Sequence, residues 1–121
     1  MHMDAQVKGG LCLLDKVRQE NARLKDTLSD LVQLDISRYD IDYAEYYQQR
    51  FLEIDQVVDL LRHDMINFLI KVVNRHVPIE LPLTYTRFSA LKRNVFEVKG
   101  EFDLLRERFE TYIHQIQAGH A

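Results

Sequence analysis

The chain has 121 residues, 46% of them hydrophobic and 29% charged, enough for one domain with a filled core. A net charge of -3, with both signs mixed along the chain, excludes a general nucleic-acid binder, which needs a basic patch to release counterions. Four Gly and two Pro are too few for many short elements joined by turns, so a few long elements are expected.

Taken in chain order, residues 1–10 form a flexible lead-in ending at Gly9-Gly10. From Leu11 the apolar residues recur at gaps of three and four, which only a helix places along one side. Leu14, Val17, Asn21, Leu24, Leu28 and Leu31 take alternate a and d positions of a heptad seam, and the helix runs over about 11–36. An asparagine at an a position costs stability but selects register and partner number. Glu20 at g and Lys25 at the following e would face each other between parallel chains. The segment Val17-Arg18-Gln19-Glu20-Asn21-Ala22-Arg23-Leu24-Lys25 resembles leucine-zipper sequences. Two arrangements fit: the helix zips to its copy in a second chain, or Asn21 meets a partner inside its own monomer. Val32 and Leu34 widen the seam at its far end, which suits a bundle there. Cys12 is alone, so no internal disulfide forms and a reducing compartment is expected. Its expected role is that of a buried or incidental thiol.

A second helix is expected over about 43–77. Asp42 and Glu45 fit a capping box, with Ser37 and Asp40 as a competing start. Around this start lie Tyr39, Tyr43, Tyr46 and Tyr47. Tyrosine buries a ring and leaves its hydroxyl wet, so the cluster either packs over the bundle end or serves as a partner surface. The seam continues through Tyr47, Phe51, Ile54, Val58, Leu61, Met65, Phe68 and Val72. Val57, Leu60, Leu69, Ile70 and Val73 add apolar residues off it, so this end is expected where several helices or two subunits meet. Pro78 stops the helix, and Ile79 to Leu83, with Pro82, reads as an extended connector.

The third helix, over about 84–118, carries the longest seam: Phe88, Leu91, Val95, Val98, Phe102, Leu105, Phe109, Tyr112 and Ile116. Gly100 lies off that seam, where it permits close approach of another helix or a slight bend. Short connections between long helices make antiparallel neighbours. The expected architecture is therefore all-α: one domain spanning 1–121, an antiparallel bundle of three long helices, dimerising through coiled-coil seams.

Chemistry is sparse. Glycine-rich phosphate loops and signatures of a Ser or Cys nucleophile are absent. Asp59 with His63, and Glu110 with His114, have one-turn spacing that would suit a metal, but the heptad frame points both histidines away from the seams. No metal or other cofactor is expected. The stretch Arg62-His63-Asp64-Met65-Ile66-Asn67-Phe68-Leu69 resembles the phosphoacceptor box of bacterial sensor histidine kinases and their phosphotransferase relatives. Those proteins carry an Arg-His-Asp-x-x-Asn pattern on the first helix of a dimeric helical hairpin. The resemblance implies that His63 takes a phosphoryl group on a ring nitrogen, that Asp64 accepts a proton or holds the tautomer, and that Asn67 hydrogen-bonds nearby. With no room for an ATP-binding domain, it implies a relay, a kinase fragment or a degenerate dimerisation module.

No apolar run reaches the ~20 residues of a membrane helix, and no signal-peptide core opens the chain. The residues thus point first to a non-catalytic, self-associating bundle that scaffolds a larger assembly. It would be soluble and intracellular (cytoplasmic), with itself and other proteins as partners, bound neither to nucleic acid nor within a membrane. The phosphotransfer module with His63 as acceptor is the alternative.

Overall fold

The computed structural model describes residues 3–33, 38–74 and 82–119, with side chains described over 5–33, 41–72 and 83–118. Three helices make up this fold: α1, Met3–Gln33; α2, Arg38–Leu69, which ends in a π-helical turn at Ile70–Asn74; and α3, Pro82–Gly119. At 31, 32 and 38 residues they are rods of about 47, 48 and 57 Å. The described residues hold no strand.

The three seams read from the heptads converge on one core. Leu14, Val17, Leu24 and Leu28 of α1 meet Phe51, Ile54, Val58 and Leu61 of α2 and Val95, Val98, Phe102 and Phe109 of α3, all buried. Each fully buried side chain of this size contributes about 1.5–3 kcal/mol, which is how amphipathic rods become a bundle. Aromatic contacts set the α2–α3 register: Phe51 meets Phe109 edge-on at 4.9 Å, and Phe68 stacks on Phe88 at 6.1 Å. These pairs run in opposite chain directions, so α2 and α3 are antiparallel. Charges set the α1–α2 register the same way: Asp15 with Arg62, Arg18 with Asp59, and Lys25 with Asp55.

Three boundaries differ from the expectation. The lead-in at 1–10 is helical from Met3, because Val7 sits one heptad before Leu14 and is buried to 1% exposure. Gly9 and Gly10 therefore lie inside α1. At Gly10 the missing side chain has a use: a Cβ there would come within 2.6 Å of Met65 Cε, so glycine lets α2 approach. α2 begins at Arg38 rather than at the Asp42 capping box, close to the competing start; Ser37 itself lies outside the described residues. α3 begins at Pro82, where a missing N–H costs nothing, so the connector expected to reach Leu83 is shorter. Val32 is 51% exposed and does not widen the α1 seam. Leu34, Ile36 and residues 75–81, with Val77, Pro78, Ile79 and Leu81, lie outside the described residues.

Candidate interaction surfaces and the histidine face

The zipper-like seam of α1 is occupied by its own chain. Leu14, Val17, Asn21, Leu24, Leu28 and Leu31 are all buried against the core. Asn21 is 0% exposed. Its Nδ2 donates to the Phe51 carbonyl at 2.9 Å and to Asp55 Oδ1 at 2.8 Å, which uses both amide hydrogens. Among the described residues Asn21 Oδ1 has no partner, so the residue still carries a desolvation cost of about 1–3 kcal/mol. The charges expected to bridge chains are also engaged internally. Glu20 accepts from Arg23 at 2.6 Å, and this guanidinium holds its carboxyl below the usual range. Lys25 donates to Asp55. In this fold the seam packs on α2 and α3 of the same chain, the internal one of the two arrangements, and its residues are buried there.

The tyrosine cluster divides between the two readings made of it. Tyr47 is buried, with ring contacts to Phe109 at 5.3 Å and Tyr112 at 5.1 Å. Its hydroxyl donates to the Arg108 carbonyl at 3.2 Å, and burial pushes its pKa up. Tyr43 and Tyr46 are 44% and 47% exposed. Tyr43 leans on Tyr112 at 5.8 Å, and the Arg50 guanidinium lies over the Tyr46 ring at 5.4 Å. The Tyr39 side chain lies outside the described residues.

Beside the exposed tyrosines runs a surface that the seam analysis missed. Between α2 and α3 opens a groove of about 590 Å³ lined by Tyr46, Arg50, Glu53, Val57, Leu104 and Arg108 among others. Gly100 sits at its edge, and a Cβ built there would meet nothing within 4 Å. Among the described residues, no helix makes the close approach that Gly100 permits. Leu60, one turn beyond Val57, is 66% exposed and Leu104 is 45% exposed. The missed signal is a second heptad stripe on α2: Tyr43, Tyr46, Arg50, Glu53, Val57 and Leu60, again at gaps of three and four. Two charges in its middle broke the apolar count.

A smaller apolar cavity of about 230 Å³ lies between the start of α1 and that of α3, lined by Val7, Gly9, Leu13, Met65, Phe88 and Phe96 among others. Met65, expected where several helices meet, is buried there. Cys12 is exposed rather than buried.

On the outer face of α2, His63 and Asp64 are exposed and Asn67 is half-buried. Asn67 Nδ2 lies 3.1 Å from His63 Nε2. With the amide as donor, Nε2 is the bare ring nitrogen and the proton sits on Nδ1. Arg62 turns away to Asp15 at 3.1 Å, and Asp59 turns to Arg18 at 3.7 Å. Among the described residues no three His, Cys, Asp or Glu side chains gather as a metal site requires. None of the helices among the described residues is long and apolar enough to cross a membrane. No family model matches the chain, and neither a curated protein nor a solved structure matches it.

Proposed function

We propose that this chain is a non-catalytic, self-associating helical-bundle protein that serves as a scaffold subunit within a larger assembly. The observation that carries the reading is the second stripe on α2. It places Tyr43, Tyr46, Val57 and Leu60 in a coiled-coil register, and Leu104 of α3 flanks the same groove. Folding gains nothing by leaving Leu60 two-thirds exposed, whereas a stripe of exposed apolar and aromatic residues interleaved with charges of both signs is what a partner helix can bury. Self-association is thereby moved from the α1 zipper, whose residues are consumed internally, to this face. Sedimentation equilibrium tests it: a mass of at least twice 14.4 kDa is expected. A monomer at every concentration would sink the self-association, and failure to retain any protein partner would sink the scaffold role.

A second reading rests on the Asn67–His63 contact. Phosphotransfer needs an exposed imidazole with an unprotonated ring nitrogen to attack phosphorus; with its amide as donor, Asn67 favours the tautomer with Nε2 unprotonated and releases that nitrogen before it attacks. Asp64 would take up the Nδ1 proton. Incubation with small phosphoryl donors and response-regulator domains tests it. Acid-labile label on His63, lost in His63→Gln at unchanged stability, is the expected result; no label with any donor rejects it.

A further inference from the structure

We infer that the α2–α3 groove binds a second copy of this chain across a two-fold axis that crosses both helices at right angles, so that α2 packs antiparallel on its copy and α3 on its copy. This rests on the self-association proposed above and specifies its face, direction and register.

The stripe is complementary to its own reverse in charge and in apolar character. Place the axis on α2 between Phe51 and Leu52. Arg50 then faces Glu53 of the copy, Val57 faces Tyr46, and Leu60 faces Tyr43. Opposite charges meet, and apolar groups meet apolar groups, from one end of the stripe to the other. On α3 the matching point lies between Leu104 and Leu105, where Glu101 faces Arg108 of the copy. Both charges are exposed and line the groove.

The two points have to lie level for one axis to cross both helices. The contacts Tyr47–Phe109, Phe51–Phe109 and Phe68–Phe88 set the α2–α3 register, and they put the two points within roughly two residues, or ~3 Å, of each other. An isologous contact demands that a patch complement itself in this way. Gly100, where a Cβ would meet nothing within 4 Å among the described residues, lowers the ridge of α3 beside the axis and admits the facing helix.

The face is two helices wide and spans about 27 Å along α2, so it covers on the order of 500–600 Å² per partner. That is the low end for a specific interface, and the dimer is expected to dissociate in the micromolar range.

Charge reversal at two exposed α3 positions tests the axis. Glu101→Arg sets Arg against Arg108 twice in the dimer, and Arg108→Glu sets Glu against Glu101 twice. Each variant is expected to raise the dissociation constant about tenfold or more in sedimentation equilibrium at low salt, with unchanged helical circular dichroism. Mixing the two variants pairs every Arg with a Glu, so the mixture is expected to form a heterodimer as tight as the parent dimer. Leu104→Cys in a Cys12→Ser background is expected to cross-link to itself under mild oxidation, whereas Ser89→Cys is not.

Separate outcomes overturn separate steps. A parent chain that remains monomeric to millimolar concentration refutes self-association itself and leaves the groove to a foreign helix. A parent dimer indifferent to both reversals refutes this face while self-association stands. Reversals that weaken the dimer without recovery on mixing refute the antiparallel register.

Discussion

Along its α1 side, α2 presents Asp55, Asp59 and Arg62, each engaged by an opposite charge on α1. Along its α3 side it presents Tyr46, Arg50, Glu53, Val57 and Leu60. There Arg50 pairs with Glu53 of its own helix at 2.8 Å, and among the described residues no ion pair crosses to α3. Both sides flank a buried heptad seam, but one flank is laced to its neighbour and the other is left open. Lacing is possible on the first side because Asp15, Arg18 and Lys25 come opposite Arg62, Asp59 and Asp55, in complementary order on two antiparallel helices. On the second side Gly100 and Leu104 of α3 carry no charge, and Arg50 and Glu53 of α2 pair with each other rather than with Glu101 or Arg108 of α3. Exposed ion pairs add ~0–1 kcal/mol each, so the difference matters less for stability than for what each side can still bind.

The largest effect expected from breaking this comparison is at the core between the flanks. Phe51→Ala should cost about 3–5 kcal/mol in chemical denaturation, because the Phe109 ring would face a void. Leu60→Ser, two and a half turns along α2, should change the stability of the monomer by no more than ~0.5 kcal/mol while weakening self-association. A comparable loss from both would erase the distinction between flank and core.

Next in size, Asn21→Ala should cost about 2 kcal/mol, since it opens a small void and removes both donors to the α2 flank. A double-mutant cycle with Asp55→Ala should give a coupling of about 0.5–3 kcal/mol; additivity would mean the laced side is ornamental. On the open side the sign reverses. Gly100→Ala should raise monomer stability by roughly 1 kcal/mol, because the added methyl meets nothing and alanine favours the helix. Gly10→Ala should gain less, since its methyl must displace the end of Met65.

The smallest effect is a titration at the end of the open side. Burial raises the Tyr47 pKa above its ordinary value of 10.0, so the folded state holds this proton more tightly than the unfolded state. The associated stability is fully present below pH 10.0 and is lost as pH rises through the folded value. Thermal unfolding across that range should show a falling melting temperature. Tyr47→Phe, which keeps the ring among Phe51, Phe109 and Tyr112, should remove that fall.

Of the candidate sites, the exposed position of His63 was legible from its heptad frame, but its contact with Asn67 depends on rotamers that periodicity does not reach. The tyrosines were legible as a cluster, though not in their division between buried Tyr47 and exposed Tyr43 and Tyr46. The open stripe was harder to see, because Arg50 and Glu53 interrupt its apolar count and a first seam on the same helix already explained the hydrophobic residues. Gly9-Gly10 misled for a local reason: propensity reads paired glycines as a break, whereas burial of Val7 and closeness to Met65 hold them in a helix.

The heptad spacing by itself determined that this chain forms three long rods and which stripe of each is buried, because burying one side of a 3.6-residue spiral leaves a period no other structure shares. What it left open was which rod lies against which. Leu14, Val17, Leu24, Leu28 and Leu31 would serve a second chain as well as they serve α2 and α3, since apolar contact is not directional. Only tertiary packing decided that, through groups that are directional: the Asn21 amide between Phe51 and Asp55, and the charges of Asp15, Arg18 and Lys25 against Arg62, Asp59 and Asp55. With the first seam taken inside the monomer, the stripe on α2 keeps Tyr43, Tyr46 and Leu60 exposed.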